Sequence, residues 1–88
     1  MASYNVAFKP SVHKDFRRLP KSVVARAMKR IETLSAEPFP HGVEKLEGAE
    51  RLYRIRVGDY RIVYEADTQT QQIIVLYVRH RREVYRAL

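Results

Sequence analysis

Apolar and polar positions alternate at the start of the chain. Tyr4, Val6 and Phe8 fall on one side and Asn5 and Ala7 on the other, which predicts a short strand over Tyr4–Phe8. Pro10 stops it, and Ser11 stands where a helix N-cap belongs. The period then lengthens. Val12, Phe16 and Leu19 recur at i, i+4 and i+7, a two-turn helix with Lys14, Arg17 and Arg18 turned outward. Pro20 suits the first turn of a second helix, whose predicted buried stripe is Val24, Ala27, Met28, Ile31 and Leu34. Lys29, Arg30 and Glu32 lie largely opposite that stripe, and Pro38 and Pro40 end the helix. Residues 35–50 read as a connector punctuated by Gly42 and Gly48.

Beyond the connector the period returns to two. Leu52–Val57, Tyr60–Glu65 and Gln72–Arg79 read as three strands, with Gly58-Asp59 as a two-residue hairpin loop and Ala66–Gln71 as the next turn. Val84-Tyr85 is either a last pair of strand residues or a helical turn. The order strand–helix–helix–strand–strand–strand predicts an α+β fold, with both helices on one face of a small, twisted, mainly antiparallel four-stranded sheet. With no internal repeat or low-complexity segment, the 88 residues read as one domain, 1–88. A chain of this length buries roughly 60–65% of the surface its unfolded form exposes, enough for one modest core.

The hairpin loop sets a register. If Gly58-Asp59 is the turn, Val57 faces Tyr60, Ile55 faces Ile62 and Tyr53 faces Tyr64, and these apolar and aromatic pairs form the core side. The other side carries Arg56 opposite Arg61, Arg54 opposite Val63 and Leu52 opposite Glu65. Like charges directly opposite destabilise a sheet by roughly a few tenths of a kcal/mol. In this register only Glu65 offsets them locally. The face is therefore either solvated surface whose side chains splay apart, or a preorganised anion site built on rigid strands. A one-residue bulge at the turn would break the register.

Composition sharpens the second reading. Lys and Arg number 17 against 10 Asp and Glu, a net charge of +7, and such a surface attracts polyanions, nucleic acid first among them. All five lysines lie within residues 1–45, and the eight basic residues after Lys45 are all arginine. Arginine suits bidentate phosphate contacts and stacking on bases, and it also covers apolar surface well. There is no cysteine, which excludes a disulfide scaffold, an iron–sulfur cluster, a zinc ribbon and a thiol nucleophile. His13, His41 and His80 lack metal-ligand spacing, and there is no Gly-rich phosphate loop, so neither metal nor cofactor is expected. The start of the chain carries no secretory pattern, and the longest apolar run, Ile73–Val78, is far too short to span a bilayer, so a cytoplasmic protein without membrane contact is expected.

Leu19-Pro20 between the helices, Lys45-Leu46 with Gly48, the block Y-R-I-R-V-G-D-Y-R-I-V-Y over residues 53–64 and the terminal H-R-R-E-V-Y-R over residues 80–86 carry a resemblance. Together they resemble the RelE family of bacterial toxins, within the RelE/ParE superfamily of type II toxin–antitoxin systems. The similarity runs from Tyr4 to Arg86. It implies a small twisted sheet with two N-terminal helices, cleavage of mRNA in the ribosomal A site without a metal ion, and a RelB-like antitoxin that wraps and masks the toxin. Operator DNA would be met only through the antitoxin complex. The implied reaction is attack of a 2′-hydroxyl on the adjacent phosphate, which needs a base, positive charge around the phosphate oxygens and an acid at the 5′-oxygen.

By this resemblance Arg61 and Arg81 match the phosphate-stabilising arginines, and Tyr85 matches a C-terminal tyrosine that stacks on the nucleotide. Arg54 and Arg56 match positions that are lysines in the best-known members, one of them credited with base function. A guanidinium does not lose its proton in a protein, so Arg54 is a poor general base. Lys45, the nearest lysine in sequence, lies in the connector and has no family warrant as the base. His80 is available for acid–base chemistry, since other superfamily members use a histidine near the C-terminus. Arg54, Arg56, Arg79, Arg82 and Lys45 are the expected RNA-binding residues. Two rival readings remain: a ParE-like inhibitor of DNA gyrase, and a non-catalytic module that only binds an antitoxin and co-represses its operator.

Overall fold

A computed structural model of the chain describes residues 3–48 and 50–82. Seven elements follow one another: β1 (Asn5–Phe8), α1 (Ser11–Arg18), α2 (Lys21–Leu34), β2 (Glu44–Lys45), β3 (Leu52–Val57), β4 (Tyr60–Asp67) and β5 (Gln72–His80). The sheet has five strands in the order β1-β5-β4-β3-β2. β1 pairs with β5 in parallel, and every other pairing is antiparallel. The fold is thus the expected α+β arrangement with one strand more. That strand, Glu44–Lys45, lies in the predicted connector, where two residues are too few to show a period.

Both helices contribute to one core. Val12 from α1 and Ala27, Ile31 and Leu34 from α2 pack with Ile55, Val57, Ile62, Tyr64, Ile73, Val75 and Val78 of the sheet. The opposite, open face carries only a small cluster in which Leu46 and Val63 are buried beneath Leu52, Leu76 and Tyr77. The α2 stripe is rotated from the expectation: Val23 is buried, whereas Val24 and Met28 are only partly so. Ser11 is the first helical residue rather than the cap. Pro10 precedes it with φ −53°, and no side chain caps the helix. Pro20 likewise precedes α2, which starts at Lys21. In both places a fixed proline φ and a missing N–H start the helix without a polar cap.

The predicted hairpin register holds at every pair from Leu52↔Glu65 to Val57↔Tyr60. Gly58, at φ +58°, takes the left-handed first position of the loop, and Asp59 does not share that conformation, as a type II′ turn requires. The bulge lies elsewhere. Val63 pairs with Tyr77 and Tyr64 with Val75, which leaves Leu76 as an extra residue in β5. Before it, Ile73 and Val75 face the helices; after it, Val78 does, so the alternation has changed phase. An unbulged β5 would send Arg79 into the helix side. The bulge instead brings it beside Arg61 on the open face. The connector is pinned from above, where the Tyr64 hydroxyl donates to the Pro38 carbonyl at 2.5 Å and Phe39 tilts against Tyr53 at 4.8 Å.

Candidate nucleic-acid interface

Arg56, Arg61 and Arg79 stand directly opposite one another across β3, β4 and β5. Strand pairing alone lines three guanidinium-bearing residues across one end of the open face. They are not three equivalent free cations. Arg56 is open to solvent, its side chain 67% exposed, with a Glu44 oxygen 4.0 Å away. Arg61 is only 5% exposed; one guanidinium nitrogen donates to the carbonyls of Gly58 at 3.2 Å and Tyr60 at 3.0 Å. Arg79 lies over the Tyr77 ring at 4.8 Å and reaches the Asp15 carboxylate at 3.5 Å. Of the arginines on β3 and β4 expected to form a preorganised anion site, Arg54, Arg56 and Arg61, the last has its charge sunk into the hairpin tip.

Arg54, the fourth arginine of the face, bonds the Glu44 carboxylate from the neighbouring strand. The Arg54 hydrogen bond and charge, with Arg56 and Arg61 behind them, hold the Glu44 carboxyl below the usual carboxylate range. Glu44 offsets the facing Arg54 and Arg56, and the hairpin carbonyls accept from Arg61. Lys45 does not join them. It pairs with Tyr53, so alternation turns it toward the opposite side of the sheet.

The chain beyond β5 returns to the same corner. The Arg81 N–H donates to the Asp59 carbonyl at 2.9 Å, so Arg81 is held at the hairpin tip where Arg61 is anchored. Arg81 and Arg82 are exposed, and the Arg82 N–H donates to His80 Nδ1 at 3.3 Å. His80 pairs with Tyr60, and their rings meet edge-on at 5.4 Å. Alternation therefore puts His80 on the helix side, where it lines a cleft of about 120 Å³ with Asp15, Arg18 and Tyr60. The structure brings Arg56, Arg61, Arg79 and Arg81 to one corner and sets His80 around its edge. Tyr85 and the expected Val84-Tyr85 element lie outside the described residues.

Two features were not anticipated. Asp15 is 7% exposed within the buried face of α1, a place the periodicity reserves for an apolar residue. Arg26, Lys29 and Arg30, at i, i+3 and i+4 on α2, meet Arg56 and Gly58 in a cationic groove of about 310 Å³. The spacing was visible in the sequence, but its closeness to β3 was not. Gly58 is required at the turn by its φ of +58°; the Arg26 guanidinium that a Cβ would meet at 3.0 Å is the end of a flexible side chain and can give way. Among the described residues no three acidic, histidine or cysteine side chains gather as metal ligands, and no helix is long and apolar enough to cross a membrane.

Residues 6–85 match the family described as the ParE toxin of the type II toxin–antitoxin system parDE. Toxin RelE3 of Methanocaldococcus jannaschii is 33% identical over 84 residues, covering 91% of this chain and 93% of its own. Toxin RelG of Mycobacterium tuberculosis is 29% identical over 84 residues, covering 94% and 97%. Among solved structures, the archaeal RelE–RelB complex from Pyrococcus horikoshii superposes with a TM-score of 0.79 at 34% identity, over 90% of this chain and 96% of that one. The fold and these likenesses converge: the chain belongs to the RelE/ParE superfamily of type II toxins, as a RelE-family toxin.

Proposed function

We propose that this toxin is a ribosome-dependent mRNA endonuclease that acts without a metal ion, is neutralised by a RelB-like antitoxin, and works in the cytoplasm as a single domain. Operator DNA would be approached only within the antitoxin complex. The observation that carries the reading is the arginine corner, where Arg56, Arg61 and Arg79 align across three strands and Arg81 is tied to the hairpin tip. In the reaction a 2′-oxygen attacks the adjacent phosphorus, the bond to the 5′-oxygen breaks, and a cyclic phosphate and a free 5′-hydroxyl result. One proton leaves the 2′-hydroxyl and one reaches the 5′-oxygen. Charge builds on the equatorial phosphate oxygens; exposed Arg56 and Arg81 are the groups assigned to meet it, with Arg61 adding its charge from beneath. Arg54 cannot serve as the base. His80, at the edge of the corner, is the side chain assigned acid–base chemistry, and Tyr85 is assigned to stacking on a base.

The test is cleavage of a translated message on purified ribosomes, read by primer extension. Removing one positioned donor costs about 10²–10³ in rate, so Arg81→Ala should abolish growth arrest. His80→Ala with an unchanged rate and pH profile would make His80 a bystander. Arg54→Lys should accelerate cleavage if a base is what the site lacks. The family description, a ParE toxin, favours one second reading, inhibition of DNA gyrase. A supercoiling assay separates the two: inhibition there, with no cleavage on ribosomes, would replace the nuclease reading.

A further inference from the structure

The acid at position 15 has no place in the packing of α1. Val12, Phe16 and Leu19 all face the sheet, and an apolar residue at 15 would complete their stripe. Burying a carboxylate there is costly unless its oxygens are bonded. Both are. One accepts the Val78 N–H at 3.2 Å, and the other lies 3.5 Å from Arg79 Nε.

The reason lies in the edge of β5. β1 pairs with β5 only from Gln72 to Val75, and the Lys9 N–H to the Val75 carbonyl, at 2.9 Å, follows that pairing. Beyond this point α1 replaces a neighbouring strand, and a helix offers no ladder of backbone acceptors along its side. The Asp15 carboxylate takes over as the acceptor three residues further along β5. It does so just after the bulge at Leu76, where the strand has changed phase. On the other side of the same segment, Arg61↔Arg79 pairing and the Arg81 N–H to Asp59 bond supply the hold.

We infer that Asp15 is a positioning residue for the proposed nuclease site: it clamps Val78 and Arg79 from the outer edge of β5 and so fixes the direction in which Arg79, His80 and Arg81 leave the sheet. The inference rests on the nuclease reading. Arg18, Tyr60 and His80 share the cleft around the carboxylate, but among the described residues only the backbone of Val78 and the side chain of Arg79 bond it. Displacing a reacting or charge-stabilising group by about 1 Å can cost roughly 100-fold in rate, so a loosened clamp should be felt in catalysis rather than in binding.

Asp15→Asn is the informative variant. It keeps an oxygen for the Val78 N–H and removes the charge that holds Arg79. The expected result is a folded protein whose kcat for ribosome-bound message falls roughly 10- to 100-fold with KM nearly unchanged. Asp15→Glu, which restores the charge, should regain part of that loss. Wild-type kcat in Asp15→Asn, a loss equal to the drop in folded fraction, or no advantage of Glu over Asn would each overturn the inference. A second measurement stands apart from activity. The Arg79 Nε–H resonance should be protected from solvent exchange in the wild type and unprotected in Asp15→Asn; equal exchange in both would overturn the clamp. If the wild-type chain cuts no message at all, the nuclease reading fails, and the resonance still decides whether the clamp exists.

Discussion

Two carboxylates hold the arginine row, one at each end, and they do it differently. Asp15 sits under α1, nearly closed to solvent, and divides its oxygens between a backbone N–H and Arg79. Glu44 sits on the short edge strand, half exposed, and gives its oxygens to Arg54 and Arg56. The buried pair must be complete, because any partner removed leaves a polar group without water. The Glu44–Arg56 pair, open to solvent at both ends, can part and be replaced by water, which is what a surface that meets phosphate requires. One end of the row is built for position and the other for exchange.

The largest expected effect separates the two directly. Asp15→Ala leaves the buried Val78 N–H without an acceptor and should cost about 1–3 kcal/mol. Glu44→Ala should cost under about 1 kcal/mol, as exposed pairs do. In a chain of this size each kcal/mol moves the melting midpoint by roughly 4–8 °C, so paired thermal melts suffice, and equal shifts would erase the distinction. Next comes the row itself. Arg61→Ala should destabilise by about 1–2 kcal/mol, because the Gly58 and Tyr60 carbonyls lose a charged donor. Arg56→Ala should stay within about 0.5 kcal/mol yet lower the salt dependence of RNA binding by about one unit for the lost phosphate contact. An unchanged salt slope would reduce Arg56 to solvated surface.

The smaller effects belong to Glu44 alone. Its carboxyl titrates below the ordinary value, so its stabilising share is full above the unfolded glutamate range, near pH 4.3, and is lost as pH falls through the lowered value. Acid melts of wild type and Glu44→Gln should differ at neutral pH and converge at the acid end, by a few tenths of a kcal/mol given the exposure. Raising salt from about 0.1 to 1 M shortens the screening length from roughly 10 to 3 Å and should shrink the same difference, while leaving that between wild type and Asp15→Ala in place.

Much of this arrangement is legible in the residues. The Gly58-Asp59 turn and the period-two runs around it fix which side of β3 and β4 each residue takes, and Arg56 meets Arg61 as that register demands. β5 is less legible. Residues 73–78 form a continuous apolar run, which hides the phase, so nothing local marks Leu76 as the extra residue or sends Arg79 to the open face. Asp15 falls on the stripe that the α1 periodicity reserves for apolar residues, and nothing nearby explains it until β5 is seen to lack a neighbour there. Arg61 is indistinguishable in sequence from Arg56. Only the carbonyls of the turn beneath it separate a sunk guanidinium from a free one. Sequence periodicity assigns faces, and the partners that fill them come from distant parts of the chain.

The parallel pairing of β1 with β5 also sets a schedule. Asn5 finds its partner in Gln72, 67 residues further along the chain. β5 then lies between β1 and β4, so the middle of the sheet stays empty until that strand has been synthesised. Contacts this remote in sequence form late and slowly, because the closure of so long a loop must come before any gain from pairing. The same strand brings Arg79 and carries the chain to Arg81. A nascent copy therefore holds neither a finished sheet nor an assembled arginine corner until the chain has been made through Arg81.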